Sequence, residues 1–273
     1  MTDAEHRAPG GYLLVDAAAE VHSFGGLGHM GPAPGPGVEP VALALSRRDE
    51  GCWMLDAAGG VHALGRATFH GSLPGIGVQT RAVDIVATPT GAGYWVLDAA
   101  GGVYTFGDAP FHNALPTLGI RTEAVALGAT PRGDGYWILD RVGGVFAFGD
   151  AVFHGSLPER GLTATAVDLM ATDDGYLVLD AEGGVHAFGD AGMAGAPAQF
   201  GPPASPPVAL VPGMGADGYL VVCADGAVMP FGFSAFHGAL LTRAPGSPPV
   251  VAATAPSGRT ASQPLGTSAR SAR

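Results

Sequence analysis

One run of residues restarts six times along this chain: a glycine, usually an aromatic residue, a short apolar stretch, an acidic turn, Gly-Gly-Val or a relative, then Phe-Gly or Leu-Gly. The restarts fall at Gly11, Gly51, Gly93, Gly135, Gly175 and Gly218, with spacings of 40, 42, 42, 40 and 43 residues. A period of this length built from strand-like pieces means that each unit is a small sheet too thin to bury its own faces, so neighbouring units must bury them for one another.

The third unit, read with the segment before it, resolves into four runs: Ala82–Pro89, Gly93–Asp98, Gly102–Gly107 and Phe111–Leu115. Each is rich in Val, Ile or aromatic residues and bounded by Gly, Pro, Asp or Thr, which predicts four short antiparallel strands. Asp98-Ala-Ala-Gly-Gly102 reads as a hairpin turn in which glycine supplies positive φ and the carboxylate accepts backbone N–H groups. Asp16, Asp56, Asp98, Asp140 and Asp180 share that place, so turn capping accounts for all five. Large side chains such as Tyr104 and Phe106 alternate onto one face of the third run, as sheet-on-sheet packing requires. The expected fold is therefore all-β, a six-bladed β-propeller of four-stranded blades. The first unit lacks its leading strand, and Pro249–Pro256 supplies one at the other end of the chain. That strand is expected to close the ring by pairing in the N-terminal blade.

Composition narrows the function classes. With 273 residues, 47% hydrophobic, the chain can form one sizeable core, while 45 glycines and 23 prolines against only 14% charged residues speak for many tight turns. A formal net charge of −11 without a basic run disfavours a phosphate backbone as partner. The first residues show no basic segment followed by an apolar one, and no long apolar run follows, so a soluble cytoplasmic monomer without membrane insertion is expected. Cys52 and Cys223 fall in non-neighbouring units, which predicts no disulfide. Residues 1–10 are expected to be a flexible lead-in, 11–256 a single domain, and 257–273, small and polar, a disordered tail.

The stretches GYWVLDAAGGVYTFGDAPFHNALP and GYWILDRVGGVFAFGDAVFHGSLP resemble the GYW…DGGVFAFGDA…GSL repeats that recur in many actinobacterial proteins. The resemblance runs from Gly11 to Pro256 and is strongest in the third and fourth units; the first, fifth and sixth depart from it around Leu27–Met30, Gly192–Ala194 and Phe233–Ser234. It implies a propeller and carries no established catalytic residues. By analogy with WD-repeat propellers, the AVDIVATP-type strand is innermost and the FHGSL-type strand outermost.

Candidate chemistry lies where the units differ. His70, His112, His154 and His237 recur on the outer run, too far apart to share one metal ion, and read as amphipathic edge residues; no metal is expected. At the third position of the innermost strand stand Ala42, Asp84, Ala126, Asp168, Ala209 and Val251, so two carboxylates interrupt small or apolar residues. Asp84 and Asp168 would face a common channel as general acid and base or as cation ligands, or would cap nearby N–H groups. Arg81, Arg121, Arg160 and Arg243 precede innermost strands and Arg141 sits on a neighbouring turn, a set suited to a carboxylate or phosphate. No GxSxG, HExxH, paired CxxC, Walker or dinucleotide motif occurs, so no cofactor is expected. These features favour a rigid module that binds a small molecule or protein at the rim loops and channel mouth. The alternatives are a specialised-metabolism enzyme (lyase, isomerase or cyclase) using the acidic channel, and a structural or self-associating module.

Overall fold

In the computed structural model, which describes residues 10–46, 51–213, 218–240 and 246–256, the repeats become six three-stranded antiparallel sheets. Sheet 1 joins β18 (Val250–Thr254) to β1 (Gly11–Asp16) and β2 (Val21–Gly25). Sheet 2 holds β3 (Pro40–Leu45), β4 (Gly51–Asp56) and β5 (Val61–Gly65); sheet 3 holds β6 (Ala82–Ala87), β7 (Gly93–Asp98) and β8 (Val103–Gly107). Sheet 4 contains β9 (Ala124–Ala129), β10 (Gly135–Asp140) and β11 (Val145–Gly149), and sheet 5 contains β12 (Ala166–Ala171), β13 (Gly175–Asp180) and β14 (Val185–Gly189). Sheet 6 is β15 (Pro207–Pro212), β16 (Tyr219–Cys223) and β17 (Val228–Phe231). The residues expected to be a tail, 257–273, and the first nine of the expected lead-in lie outside the described residues.

The middle strands explain why the sequence repeats apolar runs rather than alternating. Every residue of β7 is buried, but its two faces serve different neighbours. Tyr94 and Val96 pack with Trp53 and Leu55 of sheet 2, whereas Trp95 and Leu97 pack with Tyr136 and Ile138 of sheet 4. The same split recurs in sheet 1, where Leu13 and Val15 meet Cys52 and Met54 while Tyr12 and Leu14 meet Leu220 and Val222. Strands buried on both faces require continuous hydrophobicity, and each buried Leu- or Val-sized side chain contributes about 1.5–3 kcal/mol. The first strands of the sheets adjoin in the cyclic order β18, β3, β6, β9, β12, β15 and back to β18.

The turn aspartates do what the sequence predicts. Asp98 Oδ1 accepts the Ala100 and Gly102 N–H groups at 3.0 and 2.7 Å, and Asp56, Asp140 and Asp180 repeat the pattern. A Cβ on Gly102 would sit 2.8 Å from the Asp98 carboxylate, although sheet 1 places Glu20 at the equivalent position with Asp16 accepting its N–H at 3.1 Å. In sheet 6, where Cys223 takes the aspartate's place, Asp225 accepts the Ala227 N–H instead at 3.0 Å. Both cysteines are buried free thiols, pushed by burial up to about 12 and about 11.

The expected fourth strand does not form. After the third strand the chain runs through irregular backbone into a short 3-10 turn, as at Leu115–Leu118. Gly71, Gly155, Gly195 and Gly238 hold φ between 118° and 138° there, and prolines 74, 116, 158 and 197 follow, so a strand ladder is interrupted twice. The backbone groups of this outer segment are satisfied by the next sheet's tyrosine. Tyr94 Oη accepts the His70 N–H at 3.2 Å and donates to the Gly71 carbonyl at 2.7 Å. Tyr136, Tyr176, Tyr219 and Tyr12 grip residues 112–113, 154–155, 194–195 and 237–238 in the same way.

Two outcomes follow from this wiring. Tyr94→Phe leaves two part-buried backbone groups without their partner and should cost about 1–3 kcal/mol, read as a lower urea midpoint at unchanged m-value. A chain ending before Ser247 loses β18, exposes the edge of β1 and should lose cooperative unfolding; a midpoint equal to that of the full chain would exclude a closing role for β18.

Candidate functional site

The first strands converge on an axial channel, and their registers define its lining. In every one the pairing skips the second residue, as between Ala82 and Asp84 or Ala166 and Asp168, which is a β-bulge. The skipped residues are Val41, Val83, Val125, Val167, Val208 and Val251, all partly buried, so six valines form a collar at one mouth. This collar was readable from the repeats, but a valine in a strand carries no chemical signal. The register also corrects the sixth member of the next layer: Ala252, which pairs with Val15 as Asp84 pairs with Leu97, stands at the third position, and Val251 belongs to the collar. In Val250-Val251-Ala252 no polar residue marks the third position, hence the slip by one.

Asp84 and Asp168 occupy that third layer. Asp84 accepts the Ile85 N–H of its own strand and the Leu127 N–H of β9, both at 2.8 Å. Asp168 accepts the Leu169 N–H at 2.8 Å and the Leu210 N–H of β15 at 2.7 Å. Each carboxylate therefore stitches its inner strand to the next one. Burial pushes the Asp84 carboxyl up to about 7, the charge of Asp168 acts in the same direction, and the two N–H bonds oppose both. Burial likewise lifts Asp168 to about 6.

Above the collar the rim is charged on one side. Glu39, Arg81, Glu123, Thr165, Pro206 and Pro249 are the exposed residues immediately before the six inner strands. Glu123 gathers both rim cations: Arg141 donates from Nε and Nη2 at 2.7 Å each, and Arg81 Nη1 lies 3.5 Å away. The hydrogen bond from Arg141 holds the Glu123 carboxyl below its usual range, and Arg141 is raised in return. A cavity of about 310 Å³ opens here over Val41, Val83, Val125 and Val251, edged by Glu39, Arg81, Glu123 and Arg141. A second cleft of about 580 Å³ continues outward past Val142, Pro158, Leu162, Thr163 and Glu182, and Arg141 borders both.

The other sequence candidates disperse. Arg160 lies over the Phe188 ring at 3.8 Å and donates to the Ala187 carbonyl at 2.6 Å, so it belongs to the outer packing. Arg121 is exposed and lines neither cavity, and Arg243 lies outside the described residues. The outer histidines pack on the clamp tyrosines, with His70–Tyr94 and His112–Tyr136 centroids 5.8 and 5.5 Å apart. A second histidine set pairs with the turn aspartates six residues earlier: His62 with Asp56 at 2.8 Å and His186 with Asp180 at 2.7 Å. Burial would raise Asp180, but hydrogen bonds led by His186 outweigh it and hold the carboxyl low. An i, i+6 spacing across a hairpin looks like nothing in a linear sequence, and alternation alone assigned those rings to an apolar face. Asp16, Glu20 and His22 bring one ligand atom each within 4.8 Å, yet Asp16 already accepts the Ala18 and Glu20 N–H groups and contacts His22.

The sequence matches no protein-family profile and no curated protein. Among solved structures it is similar to a chain in the crystal structure of a nidogen/laminin complex, at 12% identity and a TM-score of 0.62, covering 92% of this chain and 99% of that one. The fold is a β-propeller. Among the described residues no helix is long and apolar enough to cross a membrane.

The raised carboxyls fix the direction of a pH effect. The folded state binds protons on Asp84 and Asp168 that the unfolded state, near 3.8, releases, so their contribution to stability falls as pH rises from about 4 through about 7. Between pH 5 and 8 the wild type should lose a few kcal/mol more than Asp84→Asn does, measured by urea unfolding at fixed ionic strength.

Proposed function

We propose that this chain is a rigid six-bladed β-propeller, closed by β18 in the N-terminal blade, that acts as a binding module for a small molecule or protein at the rim loops and channel mouth. The observation that carries this reading is Arg141, which edges both the recess at the mouth and the cleft beside it. The recess offers what recognition sites combine: an apolar floor of valines and a few convergent charges held by a scaffold with little freedom. Arg81 and Arg141 favour a carboxylate or phosphate on the ligand, with Glu123 holding both guanidiniums at the ready. The solved structure with the similar chain is of a complex between proteins, which is consistent with a protein partner.

A second reading keeps the channel as a reaction site, with Asp84 near 7 as general acid or base. It is the weaker of the two, because both carboxylates already accept two backbone N–H groups each.

A library of small carboxylates, phosphates and short peptides, screened by ligand-observed NMR, tests the first reading. Binders should weaken at least tenfold on Val125→Glu and on Arg141→Ala, while Arg132→Ala, beside Asp134 and Asp150 on the opposite rim, leaves them unchanged. Binders indifferent to both rim substitutions would overturn it.

A further inference from the structure

Six seams join the six sheets, and three kinds of hydrogen bond recur across them. The first is the tyrosine clamp, present at every seam except that between sheets 1 and 2, where Cys52 stands in the tyrosine's place. The second is the stitching carboxylate, present between sheets 3 and 4 and between sheets 5 and 6; at the seam of sheets 1 and 2 its position is Ala252. The third is the first amide of each inner strand, which donates to the hairpin turn of the preceding sheet. Ala82, Ala124, Ala166 and Val250 do so to Ala57, Ala99, Arg141 and Ala224, at 2.8–3.0 Å. Pro207 and Pro40 have no N–H to give. The seam of Pro207 keeps Tyr219 and Asp168. The seam of Pro40 keeps none of the three.

What fills that seam instead is apolar: Leu13, Val15, Met30, Cys52 and Met54, with Met30 only 2% exposed where sheets 2, 3 and 4 are followed by the half-buried His70, His112 and His154. Among the described residues one backbone bond, from the Gly65 N–H to the Met30 carbonyl at 2.8 Å, crosses it on the outside. Apolar contacts hold area but not geometry, so this joint can part without stranding the buried donors and acceptors that parting any other joint would strand. Its inner end is the wall of the mouth cavity, since Val251 of sheet 1 and Val41 of sheet 2 both line that space.

We propose that the ring opens at the seam between sheets 1 and 2, and that this seam is a built-in gate that widens the channel mouth between Val41 and Val251 while the other five seams stay closed. The gate depends on wiring alone and holds whether or not the mouth binds the ligand class argued above.

Two native thiols report on it. Cys52 lies in the seam and Cys223 at the end of β16 in sheet 6, and both are buried. Labelling of the full-length protein by a small thiol reagent, with each rate normalised to its value in denaturant, should modify Cys52 at least tenfold faster than Cys223 and with a weaker denaturant dependence than global unfolding. Pro40→Ala restores the missing amide opposite the Ala17 carbonyl and should slow Cys52 about fivefold while leaving Cys223 unchanged. Amide exchange by mass spectrometry supplies the second measurement: β3 and β18 should exchange ahead of β6, β9, β12 and β15. Labelling of Cys52 only through global unfolding, an unaltered rate in Pro40→Ala, or earlier exchange at another seam overturns the gate.

Discussion

The structure depends on a phenol that reaches backwards. Each clamp tyrosine starts in the middle strand of one sheet, crosses the interface, and satisfies both an N–H and a C=O of the irregular segment left over from the sheet before. That segment has no ladder of its own, so its polar backbone would otherwise lie part-buried without partners, at a cost of about 1–3 kcal/mol per group. The hydroxyl thus substitutes for a missing fourth strand. It also fixes the angle between successive sheets, because one side chain can reach both backbone groups only from one relative placement.

Much of this was legible in the linear sequence, for a physical reason: repetition turns one chain into six experiments on the same backbone. Where all six agree, as at Gly93 and its equivalents, the residue is answering a local geometric demand: a Cβ on Gly93 would sit 2.4 Å from the Phe106 carbonyl oxygen. The antiparallel order, the capped turns and the pairing of Val250–Thr254 with β1 all followed from matching units. What did not follow is whatever depends on contacts between units. The outer FHGSL segment has strand composition, yet its groups are taken by a tyrosine more than twenty residues later, and no local pattern announces that. The place of Val251 in the collar was missed because its run of small apolar residues has nothing to mark the third position.

The candidate site shows the same division. Asp84 and Asp168 stood out because they broke the pattern, and their oxygens turn out to hold neighbouring strands together. Arg81 and Arg141 were chosen for sharing a rim, and what unites them is Glu123, which takes Arg141 from the hairpin turn of its own sheet and Arg81 from the sheet before. Arg160 had the same sequence credentials and went to an aromatic ring instead. Chemistry at an interface is decided by the partner, and a partner in another unit is what a single repeat cannot display.

The pairing of β18 with β1 has a consequence for how the molecule comes into being. Tyr12 must find the backbone of Gly238, which lies 226 positions further along the chain. At synthesis rates of roughly 5–20 residues per second, the first sheet spends on the order of ten seconds or more with a bare strand edge and an idle phenol while the rest is made. The middle sheets can settle against one another during that interval. The ring therefore closes only after β18 has been made, and until then the hairpin of β1 and β2 presents an unpaired edge to foreign strands.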